Sequence, residues 1–114
     1  MSRTLTRRER LRTRPEFLAV QRRGARSRGR YLTLLGLPNG LDVTRLGVVA
    51  SRRLGKAFRR NRSKRLIREL FRLNKRRSGF DLVVLPRPEL CDAAFDALQA
   101  DYRNALRRFE RSHG

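Results

Sequence analysis

Four side chains, Asn61, Arg65, Arg68 and Arg72, recur at spacings of four, three and four residues. On a helix turning about 100° per residue this spacing places them along a single stripe. On the opposite side Leu66, Ile67, Leu70, Phe71 and Leu73 gather with small Ser63, so the segment is amphipathic and expects a packed inner face. Like charges at helical neighbour spacing repel, and Glu69 is the only acid between Arg45 and Phe80. The natural counter-charge for the stripe is therefore a polyanion. A solvated basic face is the commoner fate of a charge run, but the charge density here exceeds what solubility requires.

Side chains suited to bond-breaking are scarce. A protein that cleaves a phosphodiester needs a carboxylate cluster to hold metal, or a His or Lys acid–base pair. The sole histidine, His113, stands next to the C-terminus. Glu89, Asp92 and Asp96 read as acids at a helix N-terminus, where they serve the dipole rather than a metal ion. The single cysteine, Cys91, falls on an apolar helix face as a small buried hydrophobe. It can form no internal disulfide, and no Cys/His cluster offers a metal site. The expected contribution is binding, with no catalytic residue and no cofactor held by the protein itself.

The stretch Arg60-Asn61-Arg62-Ser63-Lys64-Arg65-Leu66-Ile67-Arg68 is more specific than a basic run. It resembles the R-N-R-x-K-R-x-x-R signature of the bacterial ribonuclease P protein subunit. Upstream, Ser51-Arg52-Arg53-Leu54-Gly55-Lys56-Ala57 is similar to that family's S-[KR]-[KR]-x-G-x-A approach to the same helix. Length and element order agree from about Leu11 to Phe109. The resemblance implies a subunit of an endoribonuclease whose RNA carries out magnesium-dependent removal of the 5′ leader from precursor tRNA, while a small basic protein assists.

The family uses two surfaces. The first contacts the ribonuclease P RNA, and by resemblance it comprises Arg52, Arg53, Lys56, Arg60, Asn61, Arg62, Lys64, Arg65 and Arg68. Arg and Asn suit bidentate contacts to phosphate and base edges, whereas Lys acts as a point charge. The second is a cleft between the first helix and the sheet that holds the single-stranded leader, where aromatic rings stack on bases and cations meet phosphates. The resemblance assigns Arg12, Phe17, Gln21, Tyr31, Thr33 and Leu35 to that cleft. Phe17 matches the family's cleft phenylalanine; core packing beside Leu18 and Val20 is its other reading. Gln21 stands where members often place a second aromatic, so stacking there gives way to hydrogen bonding. On the first strand, alternation puts Tyr31, Thr33 and Leu35 on one face and Leu32 and Leu34 on the other, and either face could line the cleft.

A structural RNA-binding protein, such as a ribosomal protein, fits the composition and size equally well. The Arg-Asn-Arg signature with its Ser-Arg-Arg-x-Gly approach separates the two readings and favours ribonuclease P. A DNA-binding architectural protein lacks support, since neither a helix-turn-helix nor a basic-region zipper pattern is present.

The elements that must position these residues fit one domain with one modest core, as 114 residues allow. Residues 1 to 80 carry 25 basic and 4 acidic side chains, and residues 81 to 114 carry 5 and 6, so the polyanion-binding face belongs to the first two-thirds. Residues 1 to 12 read as a flexible basic arm ahead of a domain over 13–114. Thr13-Arg14-Pro15-Glu16 has capping-box spacing and opens a short helix that stops by Gly24. Ala25 to Arg30 reads as a basic connection. Tyr31 to Leu37 and Arg45 to Ser51 read as strands joined in an antiparallel hairpin. The central helix follows, and its last turn dissolves in Asn74 to Gly79. Phe80 to Pro86 is a near-continuous apolar strand that belongs in the centre of the sheet, parallel to the second strand.

Pro88-Glu89 opens a final helix with Cys91, Ala94, Phe95, Leu98, Tyr102, Ala105, Leu106 and Phe109 on its core face. The result is an α+β domain of order α-β-β-α-β-α with a small mixed sheet. A right-handed crossover is the default; the resemblance instead implies a left-handed βαβ crossover, as in domain 2 of ribosomal protein S5. No segment has the roughly 20 apolar residues of a membrane span or the apolar stretch of a signal peptide, so a cytoplasmic protein, monomeric without RNA, is expected.

Overall fold

The computed structural model describes residues 5–75 and 79–113, with side chains as far as Arg111. Its elements are α1 (Arg14–Arg23), β1 (Ala25–Arg28), β2 (Leu32–Pro38), β3 (Arg45–Val48), α2 (Ala57–Leu73), β4 (Phe80–Pro86) and α3 (Phe95–His113), with 3-10 turns at Arg7–Glu9, Arg52–Leu54 and Pro88–Asp92. The expected small α+β domain with a mixed sheet is present. Met1 to Thr4, Arg76 to Ser78 and the His113 side chain, which bear on the arm, the end of the central helix and the lone histidine, lie outside the described residues.

Strand order is β1-β2-β4-β3, with β4 antiparallel to β2 and parallel to β3. The apolar run Phe80 to Leu85 needs cover above and below and a neighbour on each side, and it takes the central place expected of it. That place corrects the hairpin: β2 and β3 do not pair, because β4 lies between them. The link from Pro38 to Arg45 is fastened to the start of β4, with Asn39 N–H donating to Gly79 O at 2.9 Å and Phe80 N–H to Thr44 Oγ1 at 3.3 Å. Ala25 to Arg28, read as a connection, forms the edge strand β1, and Ser27 Oγ donates to Ala105 O of α3 at 2.7 Å.

One face of the sheet is covered by α2 and α3. There Leu32, Leu34, Leu46, Leu82 and Val84 meet Ile67, Leu70, Phe71, Leu98, Tyr102 and Phe109. The other face carries a smaller cluster of Val20, Leu35 and Val83 with Leu11, and α1 is the helix laid over it. Ten residues of helix do not roof four strands, so part of this second face stays open beside α1.

Residues 5 to 12 differ from the expected flexible arm. Leu5 is 5% exposed within the main cluster and Leu11 is buried in the second. Leu11 N–H donates to Leu46 O at 3.0 Å, and Glu9 pairs with Lys75 at 2.6 Å. The physical reason is the outer edge of β3: its backbone groups need partners, and this segment brings both those and two leucines.

Thr13 caps α1 with Glu16 completing the capping box, and the helix ends at Gly24, as the spacing predicts. The final helix needs a correction. Pro88–Asp92 is a separate 3-10 turn, Ala93 is extended, and α3 starts at Phe95. Leu90 and Cys91 plug the core from that turn while Ala94 is exposed.

Candidate nucleic-acid interface

The chain enters α2 through Ser51 and the turn Arg52–Leu54, where Leu54 is buried and Arg52 and Arg53 face solvent. Gly55 then takes φ +103°, a left-handed conformation that a side chain would strain, and Lys56 stands at the N-cap position with its side chain making no capping bond. The result is an exposed run of cations leading onto the first turn of α2.

The helix presents three distinct flanks. Its inner face buries Ser63, Ile67, Leu70 and Phe71, whereas Leu66 is half-buried and Leu73, expected inside, is 48% exposed. A second flank is tied to the Pro88–Asp92 turn. Arg59 Nη2 meets Asp92 Oδ2 at 2.9 Å, and Arg62 Nε donates to Cys91 O at 3.1 Å. The hydrogen bond from Arg59 holds the Asp92 carboxyl below the usual carboxylate range, so this acid of the sequence cluster is engaged by an arginine. Arg62, assigned to RNA contact, thus also anchors the turn. On the third, outer flank Asn61, Arg65 and Arg68 are exposed. Arg72, the last member of the stripe, is bonded to Glu69 and contributes little net charge.

Beside this helix lies the open part of the sheet. Glu16 at the start of α1 accepts Arg45 Nη1 at 2.8 Å, and Arg45 also grips Asp81 with two bonds of 2.8 and 2.7 Å, which ties the start of α1 to β3 and β4. Backbone N–H groups of Thr13 and Arg12, helped by the Arg45 charge, lower the Glu16 pKa to about 2. One helical position further, Phe17 lies against Gly47, where a Cβ would come within 2.4 Å of the ring. Phe17 is half-buried, and it shares a concavity of about 110 Å³ with Arg10, Gly47, Lys64 and Arg68. Two residues expected on separate surfaces, Phe17 of the cleft and Arg68 of the Arg-Asn-Arg helix, therefore line one depression.

The other expected cleft residues divide. Gln21, one turn after Phe17, and Arg12, just before α1, are exposed. Leu35 is 1% exposed and forms the floor beneath α1, with buried Thr33 two residues before it on the same side of β2. Tyr31 departs from that alternation. It precedes β2, packs against the α3-side cluster and carries Arg30 over its ring at 5.2 Å. Its N–H is held by Asp101 at 2.8 Å, so the structure separates it from Phe17.

Arg10, Arg26 and Arg28 are additions. Arg26 pairs across from Leu35 and Arg28 from Thr33, so both exposed arginines border the open face beside α1. Their signal was present in Ala25-Arg26-Ser27-Arg28, where small and cationic residues alternate with the period of a strand. Arg10 reaches the site only through its bridge to Leu46.

A larger cavity of about 190 Å³ lies at the far end of α2, between Phe71, Phe80, Leu106 and Phe109. Glu9, Asp42 and Glu110 stand among its lining residues with Lys75. Carboxylates in its lining oppose a polyanion, so the basic face, not this cavity, is the nucleic-acid candidate.

A family model described as Ribonuclease P matches residues 5–110. A relative from Thermotoga maritima named Ribonuclease P protein component is 43% identical over 96% of this chain and 99% of its own length. The solved RNase P protein from Thermotoga maritima superposes with a TM-score of 0.79 at 42% identity, covering 88% of this chain and 96% of that one. The solved Staphylococcus aureus RNase P protein gives 0.77 at 28% identity, covering 87% and 93%.

Proposed function

Because this chain belongs to the bacterial ribonuclease P protein family, we propose that it binds ribonuclease P RNA through α2 and the 5′ leader of precursor tRNA through the depression beside α1. The RNA, with magnesium, performs the hydrolysis. The protein is a monomer before it meets RNA and works in the cytoplasm. The observation that carries this reading is the concavity that joins half-buried Phe17 to Arg10, Lys64 and Arg68. An aromatic floor with cations at its rim suits an unpaired nucleotide, whose base stacks while its phosphates meet arginine and lysine. The outer flank of α2 offers Asn61 and Arg65 to a second polyanion surface, exposed Arg52, Arg53 and Lys56 extend it toward the start of the helix, and half-buried Arg60 adds a cation in the first turn.

The contribution to cleavage is electrostatic and positional. Neutralising phosphates lets the two RNAs approach, and a held leader places the scissile bond without any protein side chain activating water. Phe17→Ala tests the division of labour. It should leave affinity for ribonuclease P RNA nearly intact and weaken precursor tRNA binding by the assembled enzyme roughly 5- to 150-fold, the range expected for one lost stacking contact. Mature tRNA, which has no leader, should bind unchanged. Equal losses for precursor and mature tRNA, read by titration at fixed salt, would sink the leader assignment.

A further inference from the structure

The outward stripe of α2 starts one turn before Asn61. Phe58 precedes Asn61 by three residues, so Phe58, Asn61, Arg65 and Arg68 continue the same three- and four-residue spacing along the face away from the core. Phe58 is 67% exposed. Of the chain's six phenylalanines it alone is exposed, Phe71, Phe80 and Phe109 being buried and Phe17 and Phe95 half-buried. Isolated exposed apolar residues are common on proteins. The setting of this one is not ordinary. Leu41 and Leu73 are also exposed, yet neither stands at the head of a cationic stripe nor offers a flat π face.

Local geometry leaves the ring open to a planar ligand. A helical side chain leans over the turn N-terminal to its own Cα. For Phe58 that turn holds buried Leu54 and Gly55, which has no side chain to cover the ring. On the C-terminal side stand Asn61 and Arg62, at i+3 and i+4, with Arg62 steadied by its bond to Cys91 O. Exposed Arg52, Arg53 and Lys56 lie just before it in the chain. A protein partner would need an apolar pocket rimmed by acids to match this surface. A nucleic acid supplies both components at once, since every unpaired base has a π face and a phosphate on either side.

We infer that Phe58 is a stacking platform for an unpaired base of the RNA gripped by α2, with Asn61, Arg65 and the cations before the helix holding the adjoining phosphates. This inference rests on the RNA-binding reading above and adds to it a base contact on a surface otherwise built for phosphate. It makes the surface selective for single-stranded or bulged RNA over a continuous duplex, whose bases offer no free face.

The test uses the full chain with ribonuclease P RNA and, as control, a continuous RNA duplex. The chain has no tryptophan, so Phe58→Trp places a single indole on the stripe. Its emission should be quenched on addition of ribonuclease P RNA and little changed by the duplex, with affinity at least that of the unsubstituted protein. Phe58→Ala and Phe58→Leu should each weaken binding roughly 5- to 150-fold. Their log-affinity against log-salt slope should stay that of the unsubstituted protein, because a lost stack releases no counterions. Two results would overturn the stacking inference alone: indole emission in the Phe58→Trp protein that ribonuclease P RNA leaves unquenched, or Phe58→Ala and Phe58→Leu proteins that bind as tightly as an unsubstituted chain able to stimulate cleavage. The ring is then free for a protein partner. An unsubstituted chain that neither binds nor stimulates ribonuclease P RNA would overturn the inference together with the reading beneath it.

Discussion

Replacing Arg65 and Arg68 together by alanine should lower affinity for ribonuclease P RNA on the order of 100-fold or more at moderate salt, with the far-ultraviolet circular dichroism spectrum unchanged. Both guanidinium groups are exposed on the side of α2 away from its buried face, so their removal leaves no cavity and no orphaned partner in the core. Each lost charged hydrogen bond to phosphate costs about 1.5–3 kcal/mol. Each phosphate no longer neutralised also reduces the slope of log affinity against log salt by about 0.7 to 0.9. The double variant should therefore show a slope shallower by roughly 1.4 to 1.8 units. Arg68 also lines the leader depression, so binding of precursor tRNA should fall further than binding of mature tRNA, whereas Arg65→Ala alone should cost the same whatever substrate is present. A double variant that binds with an unchanged slope would mean that the stripe is solvated charge.

Arg45→Ala should produce the largest loss of stability among the substitutions considered, about 3 kcal/mol in urea denaturation. Arg45 alone joins Glu16 of α1 to Asp81 of β4, and Asp81 and the guanidinium are mostly out of water, with side-chain exposures of 10% and 22%. Removing the cation leaves Asp81 with Asn39 Nδ2 at 2.8 Å, and leaves Glu16 with the backbone N–H groups of Arg12 and Thr13, so two carboxylates lose the charge between them. The figure is at the low end for a buried pair because water still reaches Glu16, whose side chain is 28% exposed. Arg45→Lys should recover little, since one ammonium cannot reproduce a two-pronged bond to Asp81 plus a third contact to Glu16. Because the same arginine fixes α1 beside the depression, precursor tRNA binding should fall further than binding of ribonuclease P RNA does. A loss below about 0.5 kcal/mol would place Arg45 among ordinary surface pairs.

Local signals in the chain translated directly into structure. Thr13 and Glu16 sit three residues apart and cap α1; the apolar run at β4 found the centre of the sheet; and the spacing of Ser63, Ile67, Leu70 and Phe71 marked the inner face of α2. What stayed hidden depends on contacts between distant segments. Leu5 and Leu11 look like strays in a basic arm until the bare edge of β3 is known to need a partner. The hairpin expected between β2 and β3 was reasonable for a short link, but pairing is decided by which strand can bury both faces, and that strand arrives after α2. Arg59 and Arg62 were indistinguishable from Arg65 by residue type. Only the return of the Pro88–Asp92 turn against α2 shows that the first two also serve as struts. Tyr31 stands apart from Phe17 because it precedes β2, where the alternation of the strand no longer sets its side.

Reconstitution distinguishes a protein that supplies binding to a catalytic RNA from one that carries the chemistry itself. Ribonuclease P RNA and precursor tRNA would be incubated with and without the protein over a series of magnesium concentrations, and 5′ cleavage followed in single turnover. Magnesium screens the same phosphates that the arginines neutralise. Stimulation should therefore be strong at low magnesium and shrink as magnesium rises, with no cleavage by the protein alone. Folded protein that leaves the low-magnesium rate unchanged, or that cleaves precursor tRNA in the absence of the RNA, would show that the protein does not act by binding.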